Sequence, residues 1–94
     1  MEFEWDEAKR QSNLAKHGLD FADVDEFDWS DPLTWRDDRR DYREERLVAV
    51  AAFRGILHSV SFTLRGRSVR IISFRRASRK EVRRYEKEKK RGLV

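Results

Sequence analysis

The chain of 94 residues contains no cysteine. Disulfides and thiolate metal sites are therefore excluded, which fits a reducing compartment. Long apolar runs are missing as well, and nothing approaches the roughly 20 residues of a membrane-spanning helix. Met1 leads into Glu2-Phe3-Glu4 with neither a basic nor an apolar leader, so no secretory signal is expected. These absences point to a cytoplasmic protein with no membrane contact. No H-x-E, H-E-x-x-H or Asp/Glu cluster has metal-ligand spacing, and Asp37-Asp38 with Asp41 read as a solvated loop. Neither a metal nor another cofactor is expected. No repeat or linker divides the sequence, so residues 1–94 read as one domain.

What the sequence does hold is charge. Charged residues make up 43% of the chain against 38% hydrophobic, yet six Phe, three Trp and two Tyr keep it within reach of a packed core. That core must be thin, because a chain this short buries only about 60–65% of its unfolded surface. The net charge of +4 conceals a division: residues 1–45 carry fifteen Asp/Glu against seven Lys/Arg, and residues 46–94 carry fifteen Lys/Arg against Glu81, Glu86 and Glu88. A basic second half implies a surface that attracts polyanions, nucleic acid first among them. The stretch 87–94 reads instead as a frayed, solvated basic tail.

Periodicity places the elements. Phe3-Glu4-Trp5 alternate as a short edge strand. Asp6 caps a helix running to about His17, which Gly18 stops in the left-handed region. Asp20 caps a second short helix in which Phe21, Val24 and Phe27 share a face. Ser30-Asp31-Pro32 break the chain, Leu33-Thr34-Trp35 form another short strand, and residues 37–45 form an exposed loop. Leu47 to Phe53 is continuously apolar, as in a strand covered on both faces. Arg54-Gly55 turn the chain into Ile56–Arg65, and Gly66-Arg67 turn it into Ser68–Arg76; a leading glycine favours a type II′ turn. Ser78 and Glu81 form a capping box opening a last helix to about Lys90. The expected fold is α+β: an antiparallel sheet with two N-terminal helices and one C-terminal helix.

Two-residue turns fix the register, with Phe53 facing Ile56 and Arg65 facing Ser68. One sheet face then collects Leu47, Ala49, Ala51, Phe53, Ile56, Val60, Phe62, Leu64, Val69 and Ile71, and the helices are expected to cover it. The other collects Arg46, Ser59, Ser61, Thr63, Arg65, Ser68, Arg70, Ile72, Phe74 and Arg76. On this second face Arg46, Thr63 and Arg70 line up across three strands, and like charges so close repel unless an anion lies between them.

Short motifs in a fixed order carry a resemblance. Phe3-Glu4-Trp5-Asp6, Lys9, Asn13 and Lys16-His17-Gly18 resemble the opening of BrnT toxins. So do Asp31-Pro32-Leu33, Glu45-Arg46, Val60, Phe62-Thr63, Ile71-Ile72-Ser73, Arg75, Ala77, Glu81 and Tyr85 further on. The likeness runs from Phe3 to Tyr85 and departs from the family at Phe74, where alanine is usual, and in Leu47–Phe53, which lacks a common glycine. The resemblance implies a RelE-like fold and a metal-independent endoribonuclease that blocks translation. It also implies neutralisation by a BrnA-type ribbon-helix-helix antitoxin in a 2:2 complex, with operator DNA bound through the antitoxin.

Metal-free RNA cleavage needs a base for the ribose 2′-hydroxyl, an acid for the departing 5′-oxygen and cations for the phosphorane. Arg46, Arg65, Arg70 and Arg76 can grip phosphate with two-pronged geometry, and Arg67, Arg75 and Arg79 extend the cationic surface. Phe74 or Tyr85 can stack on an unpaired base. His17 reads equally as a base and as a cation complementing the helix dipole. Lys16 is a second candidate beside it, and Tyr85, one turn from Glu81, is a possible acid or a packing residue. His58 falls on the apolar face and reads as a core histidine. Glu81 reads as a cap. The same residues also fit a non-catalytic nucleic-acid-binding module, or an interaction domain for an acidic partner.

Overall fold

A computed structural model describes residues 1–91. The elements are β1 (Glu2–Trp5), α1 (Glu7–His17), a 3₁₀ helix (Phe21–Glu26), β2 (Leu33–Arg36), β3 (Leu47–Phe53), β4 (Ile56–Arg65), β5 (Ser68–Arg76) and α2 (Arg79–Arg91). The strands form one sheet in the order β1-β5-β4-β3-β2. The class is α+β, as the pattern of elements implies.

The local signals act as chemistry requires. Asp6 accepts from the Lys9 N–H at 3.1 Å, and Gly18 closes α1 at φ 70° while its N–H donates to the Leu14 carbonyl at 2.9 Å. Ser78 and Glu81 form the reciprocal box, with the Ser78 N–H donating to Glu81 Oε1 at 2.8 Å and the Glu81 N–H to Ser78 Oγ at 3.2 Å. Arg54 and Gly55 both take positive φ, the combination of a type I′ turn. Both hairpins have the expected register, Phe53 opposite Ile56 and Arg65 opposite Ser68.

Several expectations are corrected. The segment after Asp20 is a six-residue 3₁₀ helix, so α1 is the single N-terminal α-helix. The spacing of Phe21, Val24 and Phe27 explains it: residues three apart eclipse on a three-residue turn, and all three side chains reach the core at once. Second, the sheet is mixed, because β1 pairs in parallel with β5, Glu2 with Ser68 through Trp5 with Ile71. Third, α2 packs over β3 from the second face, so the helical elements do not all cover the apolar one. Arg84 of α2 stacks on Trp35, which pairs with Val48 on that face. Lys89 is tied to the Asp31 carbonyl at 2.7 Å and its carboxylate at 2.8 Å. Residues 87–91, read as tail, thus continue the helix, and the rest of that stretch lies outside the described residues.

The fourth correction governs the site. Thr63 pairs with Arg70 and Phe62 with Ile71, but Ser61 then pairs with Ser73, leaving Ile72 as an extra residue in β5. Such a bulge shifts the two-residue alternation by one. Phe74 therefore turns to the apolar face opposite Val60 and is completely buried, its ring 4.9 Å from Phe53. Arg75 takes the second face opposite Ser59. Arg76, opposite His58, goes with the apolar face and is exposed at its rim. Ile56 and Leu64, expected in the core, sit at hairpin ends and are substantially exposed.

Beyond β1 the outer edge of β5 is covered by α1. Asn13, itself buried, accepts from the Phe74 N–H at 3.1 Å and donates to the Phe74 carbonyl at 2.8 Å and the Leu19 carbonyl at 2.9 Å. Its side chain takes the place of the missing strand neighbour.

Two outcomes follow for stability. Phe74→Ala should cost about 3–5 kcal/mol, the range for truncating a buried aromatic ring. Urea unfolding reads this directly, and a cost under about 1 kcal/mol would return the ring to the open face. Asn13→Ala strips both partners from a buried backbone unit and should cost roughly 2–4 kcal/mol. Asn13→Asp should not rescue it, since a carboxylate has no donor for the two carbonyls.

Candidate functional site

The bulge brings Arg75 toward the end of α1. Lys16 and His17 close that helix with exposed side chains, and Gly18 stops it there. Partial burial of the His17 ring lowers its pKa below the ordinary 6.5, and the nearby positive charges of Lys16 and Arg75 lower it further. Protonation of the imidazole is thus disfavoured, and the two cations lie within electrostatic range of it.

Arg75 is held rigidly. Its Nη1 donates to Glu81 Oε1 at 2.7 Å and its Nη2 to Glu81 Oε2 at 3.0 Å, a two-pronged pair across the start of α2. A further Nη1 bond reaches the Arg76 carbonyl at 3.2 Å. Of five guanidinium donors, Nε–H and one Nη2–H are left for another oxygen. Burial raises the Glu81 pKa, but the Arg75 and Ser78 hydrogen bonds outweigh it and hold the carboxylate below its ordinary range. Ser59 Oγ adds a bond to Glu81 at 3.3 Å. Glu81 is a cap, as read from the sequence, and also the brace that ties α2 to the sheet.

A second cationic group lies nearer the other end of the sheet. Arg46, Arg65 and Arg70 surround Glu44: Arg65 Nη2 donates to its carboxylate at 2.8 Å, and that bond, then the charges of Arg70 and Arg46, lower its pKa. Glu4 of β1 stands 3.8 Å from Arg70. Thr63 lies buried on the same face and donates to the Glu45 carbonyl at 2.8 Å. Thr63 pairs with Arg70 as expected, Arg46 lies one residue before the paired range of β3, and the anion among these arginines is Glu44.

The candidate residues thus fall into two groups. Lys16, His17 and Arg75 share one end, and Arg46, Arg65 and Arg70 share the other. At about 3.3 Å per residue, Arg70 and Arg75 are roughly 16 Å apart along β5, too far to act on one phosphate. Arg76 lies on the opposite face from Arg70, so the two cannot join in one site. Phe74 has no surface to offer a base. Arg67, in the β4–β5 turn, and Arg79, at the start of α2, are exposed and pair with no carboxylate among the described residues. Tyr85 is half-buried on α2 with the Lys89 ammonium 5.6 Å from its ring centre. His58 is buried between Phe53 and Phe74, its Nδ1 2.8 Å from the Ile56 carbonyl, as expected of a core histidine.

Sequence reasoning missed the hollow beside this site, which holds about 350 Å³ between β2, the turn after it and the start of α2. Trp35 forms part of its wall, with the Arg84 guanidinium 4.2 Å over the ring. Asp37, read as solvated, is buried there: Arg39 hydrogen bonds outweigh the effect of burial and hold it at about 2. The alternation in β2 already put Leu33 and Trp35 on one face, the signal that leads to this wall.

Comparison with known proteins bears on this arrangement. No curated protein matches the chain. The sequence model of one family, described as "Ribonuclease toxin, BrnT, of type II toxin-antitoxin system", matches residues 5–81. The match runs from the end of β1 to the Glu81 brace, and so takes in Lys16, His17, the Arg46, Arg65 and Arg70 group, and Arg75. With more than three quarters of its length covered, the chain belongs to the BrnT family of type II toxin–antitoxin ribonuclease toxins.

Proposed function

We propose that the protein cleaves RNA without a metal ion, with His17, Lys16 and Arg75 as its catalytic group. The observation that carries this reading is the placement of His17 and Lys16 at the end of α1 within electrostatic range of the braced Arg75 of β5, where protonation of the imidazole is disfavoured. Neutral His17 takes the proton from a ribose 2′-hydroxyl, and the 2′-oxygen attacks the adjacent phosphorus. Arg75, braced by Glu81, uses its remaining donors on the phosphorane, where charge accumulates. The bond to the 5′-oxygen breaks, Lys16 returns a proton to it, and a 2′,3′-cyclic phosphate is left. Arg46, Arg65 and Arg70 hold phosphates further along the strand by displacing Glu44.

The same reading gives the protein a RelE-like fold and translation in the cytoplasm as its target. A type II system supplies a protein antitoxin. We propose a BrnA-type ribbon-helix-helix partner in a 2:2 complex, reaching operator DNA through the antitoxin. A neutralising segment with Asp/Glu and apolar anchors suits the arginine face, since opposite charges steer association and apolar contacts retain it.

Cleavage of single-stranded RNA should persist in EDTA and leave cyclic or 3′-phosphate ends, detectable by mass spectrometry. Loss in EDTA with recovery in magnesium would refute the metal-free step. His17→Ala should lower the cleavage rate by about 10²–10⁴-fold with circular dichroism unchanged, the usual worth of a general base. Arg75→Lys, which keeps the charge but loses the fork, should also be impaired, whereas Arg76→Ala should cleave near the parent rate.

The pH profile adds a sign. A base works when deprotonated, so a lowered His17 pKa puts the acidic limb of kcat/KM below pH 6.5, with the rate already level at neutrality. Single-turnover rates across pH 4–8 check this in order-of-magnitude terms, and His17→Ala should abolish the limb.

A further inference from the structure

We infer that the hollow between β2 and the first turns of α2 is a pocket for one unpaired RNA base, stacked on Trp35. The inference rests on the ribonuclease reading and names where the nucleotide beside the cleaved phosphate lies. The hollow adjoins the catalytic group directly, because Arg75 belongs to both and its brace Glu81 lines the hollow.

Its chemistry is that of a nucleotide site. The volume of about 350 Å³ falls at the low end of small-ligand pockets, about 300–1,000 Å³, which suits one nucleotide and not a duplex. Val48 and Ser61 of the sheet line it, Trp35 offers an aromatic face, and Arg75, Lys80 and Arg84 bring positive charge. Each of its three carboxylates is already matched: Asp37 by Arg39 at 2.9 Å, Asp38 by Arg36 at 3.0 Å, and Glu81 by Arg75 at 2.7 Å. Among the described residues no carboxylate pairs with Lys80 or Arg84, so the hollow has cations to spare for a phosphate.

The stacking surface is identified by what rests on it. The Arg84 guanidinium, flat and cationic, lies 4.2 Å from the centre of the Trp35 ring. A nucleobase is also flat and takes the same face, and every base can do so. Arg84 reaches the ring from an exposed helix position on a long, rotatable stem, so it can leave the indole and turn to the incoming phosphate. It is a placeholder that the base displaces. A duplex, whose bases are stacked inside, offers nothing to Trp35, so the pocket selects single strands.

The test uses a short single-stranded oligonucleotide with 2′-O-methyl ribose throughout, which binds but cannot be cleaved, and a matched strand of abasic residues. Fluorescence anisotropy should show Trp35→Ala weakening the base-bearing strand roughly ten- to a hundred-fold, the cost of losing one stacked base. Trp35→Phe should recover most of the loss, and binding of the abasic strand should be the same for all three proteins. Equal affinity of Trp35→Ala and the parent for the base-bearing strand would overturn the pocket and leave the nuclease standing. So would an equal loss on the abasic strand, which would make Trp35 a packing residue. A parent protein that binds neither strand and cuts no RNA would overturn the ribonuclease reading, and the pocket with it.

Discussion

Between Ile71 and Ser73 the ladder to β4 takes in one residue more than its partner strand supplies, and the pleat of β5 changes phase. Every side chain after that point faces the side opposite to the one a regular strand would give it. Phe74 enters the apolar layer with Phe53 and His58, and its backbone unit is left on an uncovered edge that Asn13 of α1 occupies. Arg75 is sent to the other face, where it meets Glu81 and ties down α2. Both helices are thus docked on the last residues of one strand. The end of α1 that carries Lys16 and His17 is held near Arg75 for the same reason.

The division of charge along the chain is folded back on itself. Carboxylates from the acidic half, Glu4 and Glu44, stand against arginines of the basic half, Arg70 and Arg65. These are exposed or half-exposed pairs, and such pairs contribute little to stability. Their consequence is electrostatic. Arginines on an open sheet face would repel one another, and the carboxylates of the acidic half relieve that repulsion. The pairs Arg36–Asp38 and Arg39–Asp37 do the same at the hollow, although Asp37 is buried and more firmly held.

Much of this was legible in the sequence, for reasons that lie within a few residues. Caps at Asp6, Asp20 and Ser78 are contacts over two or three positions, and they appear where the residue types put them. The hairpin register follows from two-residue turns, which leave the chain no other alignment close to the turn. The pairing of Thr63 with Arg70 lies on the turn side of the bulge, so it survived. Phe74 and Arg76 lie beyond it, and there the alternation misassigned both. Nothing in Ile71-Ile72-Ser73 marks the extra residue, because the stretch holds no glycine or proline to signal a bulge.

The sequence by itself determined the α+β class, the strands and the two α-helices to within a few residues, the basic second half and, through its ordered motifs, the family. These depend on periodicity, capping and composition, all properties of neighbouring residues. Tertiary structure alone decided that β1 joins β5 in parallel, that α2 lies on the second face, and that His17, Arg75 and Glu81 form one neighbourhood beside Trp35. Those placements join residues as far apart as 13 and 74, and no local preference specifies them. They arise when buried backbone groups must find partners and charges must find counterions, conditions that only the assembled chain imposes.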